Sequence, residues 1–314
     1  MPQHITLVVR QAIPDGPGTR RIVLQDPDGW PLPRWKPGAH LDIHVPGIGH
    51  RAYSMCGDTA RSDTWEIAVK RETHSRGGSA WVHDVLKEGD AVAASMPRCT
   101  FPIADGATRH VMVAGGIGVT PFLAMACEFE RRGAEWALHV LSRGEPPCAT
   151  ALAGWAHTGR IRIHDTTKVA RPSWAELLDG GPAPDLHAYC CGPQAMLDSF
   201  GEATAAWPTG TTSIEHFVPP TLPAAEGAKP YMLCRSPTGA EIEVEAGGSM
   251  LAALWELGAK VDASCEGGIC GACEVRWLEG EPIHRDRVLS PERRRTHLMA
   301  CVAQCASERL VVEA

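Results

Sequence analysis

Read as a pattern of apolar and polar positions, the chain changes period twice. From residue 5 to about 102, strand-length runs such as HITLVV, RRIVLQ, HLDIHV and TWEIAVK are separated by Gly, Pro and Asp turns. That rhythm predicts a small antiparallel β-barrel. Between about 103 and 217 apolar strands (HVMVAGG, ALHVLSR, HAYCCG) alternate with stretches of helical period (TPFLAMACEFERRG, PQAMLDSFGEATAAW). Strand–helix alternation predicts a mostly parallel, doubly wound α/β sheet. The segment VPPTLPAAEGAKP has no period and is rich in Pro, Ala and Gly, which reads as a linker. A third unit follows it. The expected organisation is a barrel domain at 1–103, an α/β domain at 104–222, a linker at 223–230 and a C-terminal domain at 231–314.

Composition narrows the function classes. A chain of 314 residues suits two or three ordinary domains, and 44% hydrophobic content lets each bury a core. A net charge of −7 without a lysine-rich block argues against nucleic acid or an anionic membrane as partner. The start, MPQHITLVVRQAIPDG, lacks a basic segment followed by an apolar run, and nowhere do eighteen uncharged apolar residues occur together. A cytoplasmic monomer is expected. Twelve cysteines in a long chain without an export signal read as thiols or metal ligands rather than disulfides.

Half of those cysteines lie between Cys234 and Cys305. Cys265, Cys270 and Cys273 form C-x4-C-x2-C, and Cys301 follows after 27 intervening residues. This is the plant-type ligand arrangement of a [2Fe–2S] cluster, so the C-terminal domain is expected to be a β-grasp ferredoxin of that type. Gly267, Gly268 and Gly271 sit between the ligands, where the loop must wrap closely and aim backbone N–H groups at sulfur. A structural zinc site is the alternative, but such sites usually pair two short hooks, whereas one glycine-rich loop here supplies three ligands. Cys234 and Cys305 are left as small apolar residues.

The other signals are weaker one by one. Gly115, Gly116 and Gly118 in HVMVAGGIGVTP follow an apolar strand and precede a helix, a place for a pyrophosphate, although the spacing departs from G-x-G-x-x-G. In YCCGPQAM, Cys191 before Gly192 and Pro193 leaves room for a flat ring, or is merely a buried small residue. In the barrel, strand alternation turns Arg51 and Tyr53 of Arg51-Ala52-Tyr53-Ser54 to one face, where a guanidinium can meet a phosphate and a phenol a flat cofactor. An ordinary strand with a half-buried tyrosine would look the same. Gly77-Gly78-Ser79 leads into WVHDVL, which can form a helix with its N-terminal amides open to an anion. Taken together, these elements describe one site with a phosphate end and a ring end.

The order of these motifs resembles the phthalate dioxygenase reductase family, which serves Rieske-type oxygenases and includes vanillate demethylase reductases. The resemblance covers essentially the whole chain. It runs through Arg51 to Ser54, Ala68-Val69-Lys70-Arg71, Arg76-Gly77-Gly78-Ser79, Gly115 to Pro121, Tyr189 to Gln194, Phe217 and the four cluster cysteines. It implies FMN in the barrel, touched by Arg51, Ala52, Tyr53, Ser54, the backbone of Val69, Lys70 and Arg71, and by Gly77, Gly78, Ser79 and Ala80. Thr120 would reach the flavin from the neighbouring domain, and Phe217 would cover its ring until nicotinamide displaces it. The resemblance also implies nicotinamide beside Thr120, Cys191, Gly192 and Pro193, pyrophosphate on Gly115, Gly116 and Gly118, and adenosine near Ser142 and Arg143. FMN is expected over FAD because Arg51 and Gly77–Ser79 suit a terminal phosphate and the barrel offers no separate adenine-binding segment. Arg143 is followed by GEPPCAT, with no lysine or tyrosine near it in the chain to complete a 2′-phosphate clamp, so NADH is expected over NADPH.

Hydride carries two electrons and a [2Fe–2S] cluster takes one, so a flavin is needed between them. The expected activity is an oxidoreductase moving electrons from NADH through FMN to the cluster and on to a terminal Rieske-type oxygenase. No residue is assigned as a general acid or base. Residues 231–314 hold nine Lys and Arg against thirteen Asp and Glu, a mild acidity that suits a basic acceptor surface. A cytochrome P450 or other metalloprotein acceptor is one alternative, and a redox sensor that does not turn over pyridine nucleotide is another.

Overall fold

The computed structural model describes residues 4–73, 77–178, 181–217, 223–263 and 265–314. Arg76, part of the motif at 76–79, and residues 218–222, where the α/β domain was expected to end, lie outside the described residues. The chain divides into two compact units, Met1–Phe217 and Val218–Ala314.

The first unit opens with β1 (His4–Pro14), β2 (Thr19–Gln25), β3 (Ala39–Val45), β4 (Gly49–Ser54) and β5 (Trp65–Lys70), then α1 (Gly78–Asp84), β6 (Ala91–Ser95) and β7 (Arg98–Cys99). The strands order as β4-β3-β6-β1-β2-β5, with every pairing antiparallel and β7 added on β3. A single antiparallel bridge, Met55 to Ile67, brings the two ends of this order together as a barrel. Alternate residues fill its interior: Leu7, Ile22, Leu24, Leu41, Ile43, Trp65 and Ile67 are all buried.

The same unit continues with β8 (Arg109–Gly115), α2 (Thr120–Arg132), β9 (Glu135–Ser142), α3 (Ala149–Gly154), β10 (Ile161–Asp165), α4 (Trp174–Leu177), β11 (Leu186–Cys191), α5 (Gln194–Ala203) and β12 (Thr212–Glu215). The order β10-β9-β8-β11-β12 is parallel throughout. Strand β8 is buried along almost its whole length because both faces are covered. Met112 and Ala114 pack with Phe122 and Phe129 of α2, while Val111 and Val113 pack with Leu197 and Phe200 of α5.

Barrel and parallel sheet share one unit because they are bonded and packed together. Cys148 N–H donates to the Asp15 carbonyl at 2.7 Å and Thr150 N–H to the Asp15 carboxylate at 2.8 Å. Ala124 of α2 sits in the barrel core, and Cys56 and Ala68 of the barrel sit in the core under α2.

The second unit carries β13 (Tyr231–Ser236), β14 (Ala240–Val244), α6 (Met250–Glu256), β15 (Glu274–Glu279), β16 (Pro282–Ile283), α7 (Pro291–Arg294), β17 (His297–Met299), β18 (Gln304–Cys305) and β19 (Arg309–Glu313). Its main sheet runs β14-β13-β19-β15-β17, with β13 parallel to β19 and the other pairs antiparallel. Met250, Leu251 and Leu254 of α6 close one face over Leu233, Leu298 and Leu310. Cys305 and Cys234 are buried here as small core residues.

The described part of the expected linker is tied to this unit. Ala225 N–H donates to Gln304 Oε1 at 2.7 Å, Lys229 N–H to the Cys305 carbonyl at 3.0 Å, and Arg285 reaches the Pro223 carbonyl at 2.5 Å. Its Pro, Ala and Gly content marks the absence of regular structure, and tertiary bonds form without it.

Candidate functional site

Strand β4 pairs with β3 and ends beside the start of α1. Arg51 and Tyr53 are half-buried and face the same way, while the Ala52 side chain points outward. Gly77, at φ 93°, turns the chain into α1, and Gly78 brings the helix down onto both residues. A Cβ on Gly78 would lie 2.6 Å from Arg51 Cγ and 3.2 Å from the Tyr53 hydroxyl. The two glycines therefore create the close approach that gathers the expected phosphate end around Arg51. Burial pushes the Tyr53 phenol up to about 12 against the opposing charge of Arg51, so the ring stays neutral.

Around this cradle several groups already have partners. Ser79 Oγ accepts from Glu72 N–H at 3.1 Å, the Val69 carbonyl accepts from His83 Nε2 at 2.8 Å, and Arg71 N–H donates to the Gly18 carbonyl at 2.8 Å. The first two bonds fix α1 against β5 and the residues that follow it, and the third extends the pairing of β5 with β2. The Ala80 side chain is half-buried, and that of Lys70 is exposed.

At the carboxyl ends of the parallel strands, β8 and β11 bring two loops into backbone contact. A Cβ on Gly118 would sit 2.3 Å from the Cys191 carbonyl oxygen, and one on Gly115 2.7 Å from both Pro193 Cδ and Met196 Sδ. Gly192 returns the contact, since a Cβ on it would lie 3.0 Å from Gly115 Cα. Two of the three glycines expected to receive pyrophosphate thus serve first to seat the Gly115–Gly118 turn on Cys191–Gly192. Gly116, at φ 57°, has open space at its Cβ position. Residues Gly116–Val119 form a 3₁₀ turn, and the buried Thr120 donates its Oγ1 to the Ile117 carbonyl at 3.1 Å.

Strand β12 supplies a residue that sequence reasoning missed. Glu215 pairs in register with Cys191, and its Oε2 accepts from Ser54 Oγ at 3.4 Å and from Cys191 Sγ at 3.7 Å. Barrel strand and nucleotide sheet meet at this carboxyl. Burial pushes Glu215 up to about 8 despite those two donors, so it holds a proton at neutral pH. Burial and the neighbouring carboxyl push the Cys191 thiol well above its usual range, so it stays protonated and non-nucleophilic. Two residues on, Phe217 is 41% exposed. The alternation of SIEHF, which places Glu215 and Phe217 on one face, was the available signal.

At the far end of the sheet, Ser142 Oγ donates to the Gly144 carbonyl at 2.8 Å and Arg143 is exposed. Folding adds what the linear sequence hid. Asp165 Oδ1 accepts from Gly144 N–H at 2.8 Å and from Thr167 Oγ1 at 2.6 Å, and Lys168 pairs with Asp165 Oδ2 at 3.0 Å. A lysine does reach this corner, yet its charge is matched by Asp165. The Thr167 hydroxyl, the Gly144 and Thr167 amides and then Lys168 hold that carboxyl well below the usual range.

In the second unit the four cluster cysteines are arranged two by two. Cys265 accepts from the Cys270 thiol and Cys273 accepts from Cys301, each acceptor being pulled below the ordinary thiol range. Backbone amides of Ile269, Gly267 and Cys270 also point at Cys265, with Gly267 N–H 3.4 Å from Sγ. Among the described residues no three His, Cys, Asp or Glu side chains close around one point as a single-ion site would. Two thiolates per iron and amides aimed at sulfur are what a two-iron cluster needs. At Gly268 the loop has no room for a larger residue: a Cβ there would lie 2.8 Å from Val302 Cγ2 and 3.1 Å from Asp286 Cα.

Comparison with known proteins adds identity to this geometry. Residues 235–306 match the 2Fe-2S iron-sulfur cluster binding domain family. The chain is 38% identical over 299 residues to the phthalate dioxygenase reductase of Burkholderia cepacia, covering 92% of this chain and 91% of that protein. The solved structure of a phthalate dioxygenase reductase, described as modular for electron transfer from pyridine nucleotides to [2Fe–2S], superposes with a TM-score of 0.74 at 34% identity, covering 99% and 98% of the two chains. An intact type IV self-sufficient cytochrome P450 monooxygenase superposes with a TM-score of 0.79 at 32% identity, covering 99% of this chain and 41% of the other.

Proposed function

Because the chain belongs to the phthalate dioxygenase reductase family, we propose that it is the reductase component of an oxygenase system, taking electron pairs from NADH and releasing them singly through FMN and a [2Fe–2S] cluster to a terminal Rieske-type oxygenase. The observation that carries this reading is the loop of Cys265, Cys270 and Cys273 with Cys301, inside residues 235–306 that match the 2Fe-2S cluster binding domain, in a chain whose first unit joins an antiparallel barrel to a parallel nucleotide-type sheet. Bound flavin and cluster supply the conversion of a hydride into single electrons.

The chain's own residues bind, orient and exclude water. Arg51 and the start of α1 hold the FMN phosphate, and Tyr53 lies along the ring. The Gly115–Gly118 turn seats the coenzyme pyrophosphate, and the Gly115, Gly118 and Gly192 contacts hold it in register with Cys191. A protonated Glu215 between Ser54 and Cys191 keeps negative charge away from the point where hydride crosses. Phe217 covers the flavin until nicotinamide enters. Lys168, engaged by Asp165, adds no net positive charge for a 2′-phosphate on the adenosine ribose, which favours NADH.

Cofactor extraction tests the assignment: FMN, iron and acid-labile sulfide are expected from the purified chain. Stoichiometric FAD, or zinc without sulfide, overturns it. The matching portion of the self-sufficient P450 supports a second reading with a haem acceptor in place of the oxygenase. Reduction of a purified Rieske oxygenase, compared with that of a P450 haem domain, separates the two.

A further inference from the structure

We propose that electrons leave the second unit through a strip formed by Ile269, Arg287 and Val288, and that this strip docks an acceptor protein whose surface is apolar at its centre and acidic at its rim. The proposal rests on the reading of the chain as a reductase for a separate protein. It reverses the expectation, drawn from overall charge, of a basic acceptor surface.

Charge in this unit is unevenly placed. Of the nine Lys and Arg in residues 231–314, five (Arg285, Arg287, Arg293, Arg294 and Arg295) fall within 285–295, where the only acids are Asp286 and Glu292. The other four cations share the remainder with eleven acids. Exposed Glu241, Glu243 and Glu245 lie on or beside β14, one edge of the sheet. The cluster ligands lie toward the other edge, with Cys273 just before β15 and Cys301 two residues after β17. Three of the unit's acids, Glu241, Glu243 and Glu245, are thus remote in the sheet from the cluster, whereas Asp262, Glu266 and Glu274 border or lie within the cysteine loop in the chain.

The basic segment lies against the cluster loop. Arg287 N–H donates to the Gly268 carbonyl at 2.9 Å, and Val288 Cγ2 would lie 3.9 Å from a Cβ on Gly271. Between them, the buried Asp286 turns inward. Its Oδ2 accepts from Leu289 N–H at 2.9 Å and from Val288 N–H and Arg294 Nη2, each at 3.3 Å, and Arg294 Nη2 also bonds the Asp286 carbonyl at 2.6 Å. That buried anchor fixes the segment and leaves its neighbours facing water. Val288 is 43% exposed and Ile269 is 42% exposed, so the two aliphatic side chains flank Cys270 on the loop surface.

Among the five arginines, Arg294 is engaged with Asp286, Arg293 with Glu274 at 2.5 Å and Arg285 with the Pro223 carbonyl. Arg287 is exposed and makes no ion pair among the described residues. An exposed aliphatic residue needs no explanation alone. Two of them beside a redox ligand, with an unneutralised arginine at the edge, form a small transient docking surface of apolar centre and positive rim.

The test uses full-length holoprotein with two one-electron probes of opposite surface charge, the acidic cytochrome b5 and the basic cytochrome c. The variants are Arg287→Glu, Arg287→Gln, Val288→Ser and, at the far edge, Glu243→Lys. Second-order reduction rates are measured from low to high salt, and NADH-driven reduction of the protein's own cluster is followed in parallel. Arg287→Glu should slow cytochrome b5 reduction about tenfold at low salt, with Arg287→Gln and Val288→Ser giving smaller losses. The charge effect should fade at high salt, while cytochrome c is not slowed and own-cluster reduction is unchanged. An unaltered cytochrome b5 rate in Arg287→Glu overturns the proposal, as does an equal loss toward both probes or an effect carried by Glu243→Lys. Slower reduction of the protein's own cluster would assign the strip to intramolecular transfer and also overturn it. If wild-type protein failed to reduce its cluster with NADH, the reductase reading itself would fail, a result distinct from each of these.

Discussion

The two redox sites are built in opposite ways. The cluster loop is one continuous segment, 265–273, closed by Cys301, and its ligand spacing alone specifies the chemistry. The proposed flavin and nucleotide site draws on β4, β5, α1, the β8 turn, the ends of β9 and β11, and β12, none of which is diagnostic by itself. A local site depends on each of its ligands. An assembled site depends on the close approaches that bring its parts together, and its tolerance should vary from one contact to the next.

The largest expected effect breaks the local site. Cys270→Ser removes one thiolate and should abolish the cluster while leaving FMN in place. Reduction of protein acceptors should then fall to the level of uncatalysed leakage, whereas ferricyanide, which takes electrons from flavin directly, should still be reduced by NADH at near the wild-type rate. Loss of both activities would mean that the two sites are not independent.

Next comes a contact that holds the assembled site. Gly118→Ala places a Cβ 2.3 Å from a backbone oxygen that has little room to move. It should cost about 1–3 kcal/mol of stability, and by displacing the turn it should lower kcat/KM for NADH about a hundredfold. Thermal melts and ferricyanide assays check both, and the iron content should not change. Gly116→Ala meets no neighbour but forces φ 57° on a residue with a side chain, so its loss should be smaller.

Smaller still is the effect of charge at the junction. Glu215 is protonated in the folded protein up to about pH 8 but ionised above about pH 4.5 when unfolded. The folded state therefore binds the extra proton across that window, and stability should fall as pH rises through it and level off above 8. Hydride transfer should slow as the carboxylate forms near pH 8, since the flavin is gaining negative charge. Glu215→Gln should flatten both profiles. A step near pH 8 that persists in Glu215→Gln would assign it to another group. The mildest change is Phe217→Ala, which should alter coenzyme selectivity or flavin reduction by about tenfold or less. Identical kinetics would remove the ring from the site.

The same contrast governs what could be read from the chain. Strand period and helix period were visible in segments such as HLDIHV and TPFLAMACEFERRG, which became β3 and α2. The cysteine spacing needed no folding to interpret. The junction of Ser54, Cys191 and Glu215 was illegible because its members lie 137 and 24 positions apart, and only the barrel-to-sheet packing brings them within 3.4 and 3.7 Å of one carboxyl oxygen. Lys168 escaped notice for the same reason, since parallel pairing of β10 with β9 carries it toward Ser142 and Arg143. The glycines were legible as a motif, but not the share of them used for packing loop on loop. Summed charge also hid a division within the unit, with five arginines gathered in the segment 285–295 and three glutamates on or beside β14 at one edge of the sheet.

The most direct test of the electron path is rapid anaerobic mixing of the holoprotein with NADH, followed at wavelengths that separate flavin from cluster, in the presence and absence of a protein acceptor. Flavin bleaching should come first, cluster bleaching second, and acceptor reduction should track reoxidation of the cluster. An acceptor reduced at full rate while the cluster stays oxidised, or in Cys270→Ser at the wild-type rate, would contradict the path from NADH through flavin and cluster.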